Sequence, residues 1–200
     1  MVRNVDKIKG TDIWCSPGID IEGCTKMLNS QYLQSHLSLQ NRQLIIIAIG
    51  TNSISDIKNN SSQREAVVAD MINLIAKFRT YTQAPIAISG ILPRIIDFKK
   101  TNTLIRYTND KLRNIINDTD NVSFWPTYKP FWNGHFINSD LFRMVGKNRY
   151  GKRYADGIHP NEAGAKALRQ YFRQRIACKV ERAKRPRWGK KVLLKWRNFI

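Results

Sequence analysis

Apolar and polar positions along this chain alternate between two spacings. Leu44–Ile49 (LIIIAI) is short, unbroken and rich in β-branched residues, which predicts a strand covered on both faces. It runs into Gly50-Thr51-Asn52. Pro85–Ser89 (PIAIS), ending at Gly90, and Val122–Trp125 read the same way. Thr11–Cys15 (TDIWC), closed by Ser16-Pro17-Gly18, is a further short strand. Between these segments the spacing becomes helical. Ile21, Cys24, Leu28, Tyr32 and Leu33 predict a helix over about 20–37. Val68, Met71, Ile72, Ile75 and Phe78 form one stripe behind a capping box of Ser62 and Glu65. Leu104, Tyr107, Leu112, Ile115 and Ile116 mark another helix. A last helix starts near Asn161, behind Pro160, and runs to about Ile176. Ala165, Leu168, Phe172 and Ile176 form its apolar side, and Lys166, Arg169 and Arg173 the opposite one. Trp125 to about Tyr154 reads as an irregular aromatic stretch. Its Trp125, Tyr128, Phe131 and Trp132 are read as packing a long loop onto the core rather than as a base-stacking platform.

Strand alternating with helix predicts a doubly wound α/β sandwich with a mostly parallel sheet. The 200 residues suffice for one such domain, over 1–177, followed by a tail over 178–200. Charge sharpens that division. Lys and Arg number 34 against 15 acidic residues, a net +19. From Arg143 onward there are 18 basic residues and 3 acidic ones, so the front of the chain is close to balanced. This excludes an acidic solvating chain and favours an anionic partner. The last helix and tail supply the candidates for RNA or single-stranded DNA: Lys166, Arg169, Arg173, Arg182, Lys184, Arg185, Arg187, Lys190 and Lys191, with Trp188, Trp196 and Phe199 interleaved. Cys15, Cys24 and Cys178 are odd in number and widely spaced, which predicts neither a disulfide framework nor a metal site. No motif calls for a cofactor. The first residues lack a signal-peptide core, and an intracellular location is expected.

In open parallel sheets, ligands bind beyond the carboxyl ends of the strands. Three segments fall there: Ser16-Pro17-Gly18, Gly50-Thr51-Asn52 and Asp156-Gly157-Ile158-His159-Pro160. Asp156 and His159 are three residues apart, so the carboxylate can accept the imidazole proton, fix its tautomer and leave the other ring nitrogen as a base. Asn52 can aim an amide at a developing oxyanion, and Gly18 lets backbone approach the same point. Alone, His159 would be read as a turn histidine capping the next helix, and Asn52 as a turn residue. His36 and His135 have no such companion. Cys15 and Ser16 are weak candidates for a nucleophile, with Cys15 read as a small buried residue at the end of a strand.

These residues also carry a resemblance. IAIGTNSISD resembles the Gly-x-Asn-Asp block of the SGNH (GDSL-type) hydrolases, with Ser53 in place of the final Asp. DGIHPNEAGAKAL is similar to the family's Asp-x-x-His block, and DIWCSPGIDI to its glycine block. ISGILPR, FWPTY and LFRMVGKNRYGKRYADGIHPNEAG closely resemble the subgroup found in retrotransposon reading frames and, more distantly, the C-terminal domain of Oskar. The resemblance spans roughly residues 11–177. It implies a flavodoxin-like sandwich and hydrolysis of esters or thioesters, with His159 as base, Asp156 orienting it, and Asn52 with Gly18 completing the oxyanion hole. The likeness to Oskar implies an alternative, a nucleic-acid-binding module on an inactive scaffold.

One departure from the family bears on activity. Its nucleophile lies in a Gly-Asp-Ser block after the first strand, and none of the 11 glycines here has Ser two places later. The chain opens at what resembles the family's second strand. In a 2-1-3-4-5 order the missing strand would leave an interior edge, which is costly. Truncation of a longer protein, a strand from a partner, and the tail segment KKVLLKW each answer that gap. Truncation is favoured, and the chain as written is expected to be inactive.

Overall fold

The computed structural model describes residues 8–14, 16–30, 39, 42–55, 61–117, 121–147 and 150–184. In chain order the elements are α1 (Ile21–Leu28), β1 (Ile45–Ile47), α2 (Thr51–Ser55), α3 (Ser61–Arg79), β2 (Ile86–Ser89), α4 (Phe98–Asn117), β3 (Val122–Trp125), β4 (Trp132–Asn133), β5 (Phe136–Ile137), β6 (Val145–Lys147), β7 (Arg153–Ala155) and α5 (Glu162–Lys184). The strands β1, β2 and β3 pair in that order, all parallel. Against a 2-1-3-4-5 arrangement this is the run 3-4-5.

The pleat explains why the strand sequences are apolar throughout. Register aligns Ile45, Ile86 and Val122, and then Ile47, Ile88 and Phe124, on one face. That face packs against Ile21, Cys24 and Leu28 of α1, Val68, Met71 and Ile75 of α3, and Leu104, Leu112 and Ile116 of α4. Leu44, Ile46, Ala87 and Trp125 point the other way, onto Phe131, Phe142, Ala165, Leu168 and Phe172. Two apolar clusters on two sides of one sheet make a three-layer α/β/α domain, with α5 covering the second face.

Two asparagines on α4, seven residues apart, fix the loop that follows β2. Asn109 accepts from the Ile91 N–H (2.8 Å) and donates to the Ile91 carbonyl (2.9 Å). Asn102 does the same for Arg94, at 3.0 and 2.7 Å. Each amide replaces the backbone partner that a strand would have supplied, so this buried loop carries few unmet polar groups.

Several boundaries differ from the sequence reading. Residues 11–14 form no strand, and Cys15 lies outside the described residues. Thr11 turns back instead, its N–H reaching the Ile8 carbonyl at 3.0 Å. A strand needs a partner, and no described strand pairs with this segment. The predicted 20–37 helix holds only to Leu28. Asn29 and Ser30 close it with bonds to Lys26 and Met27, and Tyr32 and Leu33 lie outside the described residues. Asp20 caps its start, accepting from the Gly23 N–H at 2.7 Å. The LIIIAI ladder spans only Ile45–Ile47, the three residues in register with β2. Ile115 is exposed, because Leu112 and Ile116 take the inward positions. The Ser62 side chain lies outside the described residues.

The stretch after β3 is less irregular than its sequence. It holds two antiparallel pairs, β4–β5 and β6–β7. The last helix continues past Ile176 to Lys184, since no Pro or Gly interrupts it before Pro186.

Candidate functional site

The turn bearing Asp156 and His159 closes a long antiparallel excursion. Phe142 bridges to Pro160, the Arg143 N–H donates to the His159 carbonyl (2.8 Å), and the Gly157 N–H to the Arg143 carbonyl (2.8 Å). The Asp156 N–H donates to the Met144 carbonyl (2.9 Å), and β6–β7 continues the ladder outward. At Gly157 the backbone is left-handed, φ +87°. A β-carbon there would stand 2.9 Å from the Ile96 nitrogen, so both conformation and space require glycine. Asn161 then starts α5. Its side-chain oxygen accepts from the Gly164 N–H (3.0 Å) and its amide donates to the Asp140 carbonyl (2.7 Å).

Within this turn Asp156 is buried and surrounded by donors. His159 Nδ1 lies 2.9 Å from Oδ1 and 3.1 Å from Oδ2. The backbone N–H groups of Ile158 and His159 each reach Oδ1 at 3.0 Å. Arg143 donates to Oδ2 through Nε (2.8 Å) and Nη2 (2.7 Å). Burial by itself would push this carboxyl up. The bonds from the His159 and Ile158 backbone, the His159 ring and Arg143 outweigh it and hold the group at about 2. Asp156 therefore stays ionised, and its contact with Nδ1 leaves Nε2 as the ring nitrogen that the carboxylate does not engage. The His159 side chain is 41% exposed, whereas that of Asp156 is 1% exposed. Among the described residues the ring's hydrogen-bond partner is Asp156, and no serine or cysteine bonds it.

The other predicted pair lies beyond β1. Asn52 sits on the short helix α2 rather than in an open turn. Its Nδ2 donates to the Ile19 carbonyl at 2.9 Å, while Ser53 Oγ accepts from the Ile21 N–H at 3.1 Å. Asn52 and Ser53 thus tie the Gly18 turn to the end of β1. Ser53, which replaces the family's aspartate, is used as a backbone acceptor. Gly18 adopts φ +73°, with open space where a β-carbon would stand. One proton of the Asn52 amide remains for another acceptor.

The loop after β2 connects the two halves. Arg94, buried at 5% exposure, reaches the Thr51 carbonyl next to Asn52 at 3.4 Å. The adjacent Ile95 N–H donates to the Gly157 carbonyl, next to Asp156, at 2.8 Å. Residues some hundred positions apart in sequence are brought to the same loop at one end of the sheet.

The predicted nucleic-acid residues are placed differently. Lys166 and Arg173 are exposed on α5 and Arg169 is half-buried. Arg182 and Lys184 continue that helix, with side chains outside the described set, and Arg185, Arg187, Lys190 and Lys191 lie outside the described residues. Of the aromatics read as packing, Phe131 and Trp125 are buried, and Trp132 lies under the Arg106 guanidinium at 4.6 Å. Ser16 sits in a turn. Among the described residues no group of three or more His, Cys, Asp or Glu could hold a metal ion. No described helix is long and apolar enough to cross a membrane.

Sequence reasoning missed Arg143 and the asparagines of α4. Arg143 lies 13 residues before its partner, with a strand pair between them. No short spacing rule points to such a pairing.

The parallel sheet between its two helical layers defines an α/β/α protein, with the carboxylate–imidazole pair at one end of the sheet. The family model for GDSL-like lipase/acylhydrolase matches residues 11–172, and the chain belongs to that family. Solved structures agree on the fold. A GDSL-like lipase from Bacteroides thetaiotaomicron VPI-5482 is 14% identical with a TM-score of 0.60, over 81% of this chain and 73% of that one. A member of the lipolytic protein G-D-S-L family from Veillonella parvula DSM 2008 is 17% identical with a TM-score of 0.58, over 78% and 74%. A carbohydrate esterase family 3 protein from Talaromyces cellulolyticus is 12% identical with a TM-score of 0.57, over 82% and 70%. A search of curated proteins yields no match.

Proposed function

We propose that this chain carries the acid–base and oxyanion-binding parts of an ester-hydrolysing site, without a serine nucleophile of its own. The observation that carries this reading is the 2.9 Å contact between His159 Nδ1 and a buried, ionised Asp156 beside a partly exposed imidazole. A hydroxyl set against Nε2 would pass its proton to the ring as it attacks an ester carbonyl. Asp156 would stabilise the imidazolium, and Nε2 would return the proton to the leaving alcohol. The Asn52 amide and the backbone at Gly18 are the candidate oxyanion donors. The chain by itself is expected to turn over p-nitrophenyl acetate no faster than a His159→Ala variant. A burst of p-nitrophenol that depends on His159 would show that a nucleophile is already present and overturn the inactive reading.

A second reading rests on α5, which runs on to Lys184. Lys166, Arg169 and Arg173 recur at helical spacing and lead toward the basic tail. In this reading the scaffold binds RNA or single-stranded DNA, as the likeness to the Oskar domain and to retrotransposon reading frames implies. Retention on such a strand should weaken steeply with salt, and deleting residues 179–200 should flatten the salt slope by several units. An unchanged slope would place the site elsewhere, and a slope near zero would remove the reading.

A further inference from the structure

We propose that Arg143 is the positioning residue of the Asp156–His159 pair, assigning one carboxylate oxygen to itself and the other to the imidazole. The pair's catalytic meaning rests on the esterase reading, but the geometry and its test do not need turnover.

Three observations converge on Arg143. Its backbone holds the turn from both sides, donating to the His159 carbonyl and accepting from the Gly157 N–H, each at 2.8 Å. Its guanidinium places two donors on Oδ2, at 2.8 and 2.7 Å. The His159 ring lies almost equally close to both carboxylate oxygens, 2.9 and 3.1 Å, so ring distance alone scarcely selects one of them. The fork places its two donors on Oδ2, and the shorter ring contact falls on Oδ1 together with the two turn N–H groups. A lysine could supply the charge but not the two-donor fork.

The charged groups of the neighbouring loop are Arg94 and Asp97, which pair with each other at 2.9 Å. Arg143 is the cation that bonds Asp156 among the described residues.

Two measurements test this on the full chain. The first is the exchange rate of the His159 Nδ1–H proton, followed by NMR beside the Gly157 amide. Arg143→Gln and Arg143→Lys both lose the two-donor fork, so each should speed ring-proton exchange by about threefold or more. The Gly157 amide is bonded to the backbone carbonyl of residue 143, so in Arg143→Lys it should stay within about twofold of the parent. A residue that merely braces the hairpin would speed both protons together. Equal quickening of both in Arg143→Lys, or no change at the ring proton, overturns the proposal. Arg143→Lys carries the test alone if Arg143→Gln does not fold. The second measurement is a double-mutant cycle on the urea midpoint. The loss caused by Arg143→Gln should largely vanish in an Asp156→Asn background, and an equal loss in both backgrounds overturns the proposal.

Discussion

The two halves of the candidate site are held in different ways. At Asp156 five donor groups converge on one buried carboxylate, and the flanking backbone is bonded on both sides. At Asn52 a single side-chain bond to the Ile19 carbonyl, with a neighbouring one to Ser53, ties the Gly18 turn down. The first half is over-determined and keeps its geometry without a ligand. The second is tied, among the described residues, by neutral acceptors and by Arg94 on the Thr51 carbonyl, and the Asn52 amide keeps a proton for a further acceptor. Preorganisation is therefore concentrated at the Asp156–His159 end, where charge is permanent. The Asn52 end, which under the proposed function would meet charge only during reaction, is fixed more lightly.

The largest expected effect comes from removing the carboxylate. Asp156→Ala would leave the Arg143 guanidinium, two turn N–H groups and the His159 ring without their acceptor. The expected cost is about 3–5 kcal/mol, read from urea unfolding at pH 7. Acid should reach the same place by protonation. The folded-state carboxyl is depressed to about 2, below the ordinary value near 4, so its contribution is fully present above about pH 4. It is lost as pH falls from there toward 2. The deficit of Asp156→Ala relative to the parent should accordingly shrink through that window. A deficit constant from pH 7 to pH 2.5 would mean that ionisation of Asp156 is not what holds the turn.

How much of this was legible in the sequence follows the same division. The strands around Ile46, Ala87 and Phe124 could be read because both of their faces are buried, which leaves a continuous apolar run. The Asp156–His159 contact could be read because three residues of turn close it locally. The segment at residues 11–14 was misread because its residue types suit a strand, while strand formation depends on a neighbour that sequence pattern does not supply. Arg143 could not be found for a related reason. Its partnership depends on β6 and β7 pairing first, and their sequences carry glycine and charge rather than an alternating pattern. Likewise Asn102 and Asn109 look like ordinary polar positions until the loop after β2 is laid against α4.

The smallest expected effect tests whether the two halves are mechanically separate. Asn52→Ala removes the bond to the Ile19 carbonyl, at a cost of about 1 kcal/mol. For a domain of this size that lowers the melting temperature by roughly 2–4 °C. The informative quantity is where the loss appears. Arg94 touches the Thr51 carbonyl through a long bond of 3.4 Å, whereas Ile95 holds Gly157 through a short one of 2.8 Å. A disturbance at Asn52 should stay on the Gly18 side, because the bond it removes runs to the Ile19 carbonyl and not to the loop after β2. Amide hydrogen exchange should quicken at residues 19–21 and remain unchanged at 156–159. Equal quickening at both would mean that the loop after β2 couples the turns into one unit, and the lightly held half would then be supported by the tightly held one.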